Sequence, residues 1–287
     1  TMVGVTRNVP ALSAAAGIAL MAMAGTALAD KLSFSASLTG TSDYVFRGIS
    51  QTDEDPTIQG SVDVTYGMFY AGGWASGLDF GPGTDAEVEI DWYAGITPSW
   101  SSPLGKVDFD FGVIYYTYPG LSDAGAEADY VEIKAGYSLP SPFIKNLTTG
   151  TTVYYSPEYG GEVGEVWTTE SAASYKLPKI GIFDPTISGL LGWQSGETSD
   201  GYNAGGEDEY YYWNAGLTLD VENLSFDFRY WDTDLDGGSL CGATISSAMS
   251  ASCSAPPSRS HKTHHHWQKH RADTRILRPA HRLFTLS

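Results

Sequence analysis

From Lys31 to Asp232 the chain is a succession of runs in which apolar and polar residues alternate one for one. Ile58, Val62, Val64 and Tyr66 alternate with Gln59, Ser61, Asp63 and Thr65. Val88, Ile90, Trp92, Ala94 and Ile96 alternate with Glu87, Glu89, Asp91 and Tyr93. The same pattern runs through Val107–Tyr115, Val131–Tyr137, Tyr211–Leu219 and Leu224–Tyr230. A period of two puts successive side chains on opposite faces of a strand, so each run has one apolar and one polar face. Leu32, Phe34, Ala36 and Leu38 open the series, and Tyr44 and Phe46 continue their phase. Eleven candidate strands result, the later ones at 147–156, 164–176, 183–194, 209–221 and 224–232. No segment of this region carries a helical period.

Strand length separates the architectures that tolerate such a pattern. Strands of soluble sandwiches average about five or six residues, whereas a tilted strand crossing an outer membrane needs about 9–11. The runs here are of the longer kind, and aromatics such as Tyr66, Phe80, Trp100, Tyr118 and Trp193 gather at their ends. The connections sort by charge. Alternate ones carry Asp53, Glu54, Asp55, Asp85, Asp123, Glu127, Glu158, Glu162, Glu197, Asp200, Glu207, Asp208, Asp234 and Asp236; the others carry or adjoin Lys106, Lys145, Lys176 and Lys179. The sequence therefore predicts an all-β, antiparallel, up-and-down outer-membrane β-barrel of about twelve strands. Its closing strand is expected after Cys241 but is not evident there, so the last strand is read as missing or aberrant. A soluble periplasmic sandwich that binds a ligand is the alternative fold.

Residues 1–29 read as a signal peptide for Sec-type export. Arg7 precedes an apolar run, Ala11–Ala24, and Ala27-Leu28-Ala29 is a small-residue cleavage site. Residues 30–240 form the barrel. Residues 241–287 stand apart as a basic, His-rich tail, expected to be disordered: all but one of the 34 acidic residues precede it and all six His lie in it. Its composition resembles translation in a shifted reading frame, with a genuine metal-binding tail as the other reading. The net charge of −18 argues against nucleic acid as a partner.

Thr41-Ser-Asp-Tyr-Val-Phe-Arg-Gly-Ile-Ser-Gln-Thr-Asp53, with Glu89-Ile-Asp-Trp-Tyr-Ala-Gly95 and Phe226-Asp-Phe-Arg-Tyr-Trp-Asp-Thr-Asp234, resembles a proteobacterial family of TorF-type porins. That family is also described as a conserved domain of unknown function, Gcw_chp. The resemblance implies export, an outer-membrane barrel and passive transport. Such proteins end in a strand with a terminal aromatic residue, and this chain ends Thr285-Leu-Ser287 instead.

If the apolar faces meet lipid, the polar faces line a lumen. That assigns Arg47, Asp63, Glu87, Glu89, Asp91, Asp108, Asp110, Glu132, Lys134, Asp227 and Arg229 inward, with Asp108 and Asp110 placed beside Glu89 and Asp91 on neighbouring strands. The acidic excess predicts a lumen favouring cations. No His lies between Asp30 and Ser260, so no Ser-His-Asp centre can be assembled from the barrel, and the chain is not read as an enzyme. Asp232-Thr-Asp-Leu-Asp-Gly237 opens like a calcium loop, but Ala243 stands where the twelfth-position Glu belongs. No metal site and no cofactor is assigned. Cys241 and Cys253 are a candidate disulfide in an oxidising compartment. The functional expectation is a Gram-negative outer-membrane porin passing small hydrophilic solutes, in contact with outer-membrane lipid and lipopolysaccharide; nothing marks an oligomeric state. The alternative is a non-conducting structural or surface-binding barrel.

Overall fold

A computed structural model describes residues 32–80, 86–103, 105–121, 128–196, 208–235 and 244–255. Its strands are β1 (Leu32–Thr41), β2 (Val45–Phe46), β3 (Ile49–Ser50), β4 (Thr57–Tyr66), β5 (Phe69–Gly77), β6 (Val88–Ile96), β7 (Ser99–Ser102), β8 (Gly105–Thr117), β9 (Tyr130–Pro140), β10 (Leu147–Ser156), β11 (Val166–Lys176), β12 (Asp184–Gly196), β13 (Glu209–Val221), β14 (Leu224–Thr233) and β15 (Thr244–Ala255). Thirteen of them form one antiparallel sheet. β6 pairs with β8, which closes the sheet into a ring, and β7 is a short spur paired only to β8. The ring is therefore a twelve-stranded barrel with one extra strand, joined up and down by alternate connections. Among the described connections, those carrying Asp53, Glu54, Asp55, Glu158 and Glu162 share one rim, and Lys106, Lys145, Lys176 and Lys179 lie at the other.

The two faces of the wall explain why the strands close. On β4, Ile58 and Val62 are exposed on the outside, while Gln59 and Asp63 are buried inside. The same inversion runs round the ring: Leu38, Trp92, Val113, Ile133, Leu191 and Phe228 are exposed, whereas Glu89, Asp91, Glu132, Thr168, Gln194 and Asn214 are buried. A water-soluble fold does the opposite. Thirteen of the described strands share one sheet whose ends meet in a closed ring rather than forming two stacked layers, so the sandwich alternative is excluded. Closure leaves no bare sheet edge in the ring, which is the condition for a β-structure to sit in hydrocarbon.

Three expectations are corrected. The closing strand is present: β15 pairs with β14 and with β1, from Phe34↔Ala255 to Thr41↔Ala248. The barrel thus extends past residue 240 into the stretch assigned to the tail. β15 is built from Ser, Ala, Thr and single Ile, Met and Cys residues, so its two faces differ too little in hydropathy to announce a strand. Next, Tyr44 and Phe46 do not continue the outer face of β1. The chain turns inward after Thr41, and both rings pack inside the barrel. Finally, the register places Tyr116 rather than Asp110 opposite Asp91, and sets Asp108 against Ser99 of β7. The signal segment, Cys241 and the His-rich stretch from His261 lie outside the described residues; Cys253 is placed on β15.

Candidate functional site

The segment Thr41–Thr52 folds into the lumen as a small hairpin, β2–β3, with Val45 opposite Ser50 and Phe46 opposite Ile49. Only Arg47 and Gly48 connect the two strands, with φ of 50° and 82°. Two consecutive positive φ values are what a tight two-residue hairpin requires, and Gly meets that need without strain. Gly48 is also crowded: a Cβ there would lie 2.4 Å from Thr233 Cγ2 and 2.8 Å from Tyr212 Cβ. The base of the hairpin is tied by Asp43, whose Oδ1 accepts from Ser50 Oγ at 2.7 Å and Thr52 Oγ1 at 3.0 Å. Thr52 Oγ1 accepts in turn from the Tyr44 amide at 3.1 Å.

The hairpin spans the lumen near the acidic rim. Val45 packs with Tyr210, Tyr212, Trp231 and Leu235 on one side. Tyr44 packs with Trp74, Leu78 and Ala86 on the other, and Phe46 reaches the Ile114, Tyr116, Tyr130 and Tyr154 cluster. At the tip, Arg47 donates from Nη1 to Glu132 Oε1 and from Nη2 to Glu132 Oε2, each at 2.8 Å. The guanidinium lies over the Phe46 ring at 4.6 Å and the Tyr154 ring at 5.1 Å. Its backbone carbonyl accepts from the Tyr210 hydroxyl at 3.1 Å, and Tyr116 donates to Glu132 Oε2 at 3.0 Å. Burial is the largest single influence on Arg47 and works against its charge, but the Glu132 carboxylate together with Tyr159 and Tyr212 holds the guanidinium above its ordinary range. The Tyr44 hydroxyl is pushed up first by burial and then by Glu89 and Asp91.

The expected lining residues fall into distinct groups. Glu132 and Arg47 form the pair just described. Lys134 donates to Asp110 at 2.7 Å, and Tyr70 donates to the same carboxylate at 2.8 Å. Arg229 bonds to Asp227 at 2.9 Å and also reaches Asn214 and Ser188. Asp63 accepts from Tyr93 and, at 3.1 Å, from Ser61. Glu89 and Asp91 are buried side by side on β6. Two expected residues are elsewhere. Glu87 precedes β6 on the acidic rim and is exposed, because the strand starts only after it. Asp108 is half exposed at the other rim, paired with Lys106, where β8 has run past β6 and pairs with the spur β7 instead.

Sequence reasoning missed the tyrosines of the interior. Tyr116, Tyr154 and Tyr212 are buried, and Tyr212 donates to Glu170 at 2.6 Å. A signal existed: each occupies the polar phase of its strand near the acidic end, in step with Asp110, Thr152 and Asn214.

Among solved structures, the NanC porin aligns with a TM-score of 0.49 at 11% identity, covering 75% of this chain and 97% of that one. OccAB4 of Acinetobacter baumannii aligns at 0.39 and 10% identity, covering 74% of this chain, which spans 56% of OccAB4. A BenF-like porin from Pseudomonas fluorescens aligns at 0.38 and 12% identity, covering 75% of this chain and 58% of that one. No curated protein matches the sequence. The family model for a bacterial protein of unknown function, Gcw_chp, matches residues 26–253, and the chain belongs to that family.

Proposed function

We propose that the chain is a TorF-type porin of the Gram-negative outer membrane, exported by a Sec-type signal, that passes small hydrophilic solutes by diffusion and favours cations. The observation that carries this reading is the inverted wall: a closed ring with exposed apolar side chains outside and buried polar ones inside. Such a surface is stable against lipid, and each unpaired Arg or Lys on it would cost about 2–4 kcal/mol near the midplane. The cation preference is supported by the charge left after pairing. The lumen cations Arg47, Lys134 and Arg229 are each matched to a carboxylate. Asp63, Glu89, Asp91 and Glu170 have no cationic partner within ion-pair distance among the described residues.

One observation favours a second reading. The hairpin and the walls it touches are almost fully buried, with Tyr44 and Val45 each 1% exposed, so passage at that level requires the hairpin to move. A barrel in which it never moves is a structural or surface-binding protein. Planar-bilayer recording under a salt gradient decides between the two. The porin reading expects discrete conductance with a reversal potential of cation-selective sign, and more open time in Arg47→Ala. Silence of both proteins across a range of salts overturns it in favour of the closed barrel.

A further inference from the structure

Beneath the hairpin, β6 presents Glu89 and Asp91 on the same inner face, 2% and 1% exposed. Two positions apart on one strand, they point to the same side of the wall. Glu89 accepts from the Tyr118 hydroxyl at 3.3 Å and meets the Tyr44 hydroxyl. Asp91 is different: neither of its oxygens has a donor. A buried carboxylate without hydrogen bonds is costly, and a second carboxylate beside it adds to the cost, unless a cation or a proton lies between them. Arg47 does not serve, because both of its terminal nitrogens are committed to Glu132.

We propose that Glu89 and Asp91 bind a hard divalent cation, Ca²⁺ in character, between their carboxylates. The charge of such an ion balances the pair. The donors on offer are carboxylate and tyrosyl oxygens, which suit Ca²⁺, and its flexible coordination accommodates hydroxyls and water in the remaining positions. Among the described residues no three His, Cys, Asp or Glu side chains converge for a metal, so two carboxylates alone would supply the charged donors and neutral oxygens would have to complete the shell. Because Glu89 also holds Tyr44, the ion would fasten the hairpin to the wall. The proposal does not depend on whether the barrel conducts.

The test uses Tb³⁺ as a luminescent stand-in for Ca²⁺ on the refolded full chain in detergent. Trp74 is the cross-strand partner of Asp91 and is positioned to sensitise the ion. The background is the rim variant Asp53→Asn/Glu54→Gln/Asp55→Asn, which removes exposed competing carboxylates. Saturable emission displaced by Ca²⁺ is expected, with affinity at least tenfold weaker in Asp91→Asn and in Glu89→Gln. Heat-dependent gel mobility reports whether each variant is folded. Should neither fold, the unfolding midpoint of the rim variant decides: it is expected to rise in Ca²⁺ relative to EDTA. Absent emission, emission undiminished by both substitutions, or an unmoved midpoint overturns the site; a proton shared by the two carboxyls gives that result.

Discussion

Arg47 and Glu132 meet through two parallel hydrogen bonds of 2.8 Å, although 85 residues separate them in sequence. One residue sits on the tip of an inserted hairpin and the other on the barrel wall, so the pair sets where the hairpin stops. Their exposures are 3% and 1%, which places the pair in the class where losing one partner strands a buried charge.

Removing Glu132 alone is accordingly expected to be severe. Glu132→Gln should lower stability by about 3–5 kcal/mol, since Arg47 then keeps its charge without a counter-ion. The double variant Arg47→Met/Glu132→Leu should recover most of that loss, because it removes both charges and keeps the volume. Urea titration of the refolded protein measures both; equal destabilisation of single and double variants would show that the pair is not the hairpin's anchor.

Gly48 offers a steric test of the same element. Its φ of +82° and the 2.4 Å approach of Thr233 to a built Cβ predict a loss of at least about 2 kcal/mol for Gly48→Ala. Gly67 is the control, since it has φ of +62° in a turn but nothing within 4 Å of its Cβ. Gly67→Ala should cost about 1 kcal/mol, the backbone contribution alone. The difference between the two, read by urea titration, isolates the packing of the hairpin against β13 and β14.

The outer wall can be probed with one charge on either face. Val62 is 65% exposed on the outside of β4, and Val62→Arg should reduce folding into phosphatidylcholine vesicles by about 2–4 kcal/mol. Ser35 faces inward opposite Asp63, and Ser35→Arg should cost far less, having water and a carboxylate beside it. Equal penalties on the two faces would refute a lipid-facing exterior.

The strands legible in the sequence are those whose faces differ most in chemistry. On β6 and β9, Val, Ile and Trp against Glu, Asp and Lys mark both the existence of the strand and which face turns inward. β15 was illegible because Ser and Ala on both faces give no contrast; it is held by backbone pairing to β1 and β14. The hairpin was illegible for another reason. Tyr44 and Phe46 sit in phase with Leu38, and nothing local reports that the chain reverses its facing after Thr41. That reversal is decided by Asp43 gathering Ser50 and Thr52 and by Glu132, far along the chain, waiting for Arg47. The lining carboxylates followed from the period, while Glu170 escaped notice because its strand, Val-Trp-Thr-Thr-Glu-Ser-Ala-Ala-Ser-Tyr-Lys, alternates weakly.

The seam between β1 and β15 sets an order of events. The first described strand has one neighbour, β4, within easy reach, and its other neighbour is β15, the last of the described strands. Until Thr244–Ala255 arrives, β1 and β14 each present a row of unsatisfied amides and carbonyls, so the hoop cannot be fastened piecemeal. Assembly therefore hinges on a clasp made of the plainest residues in the molecule.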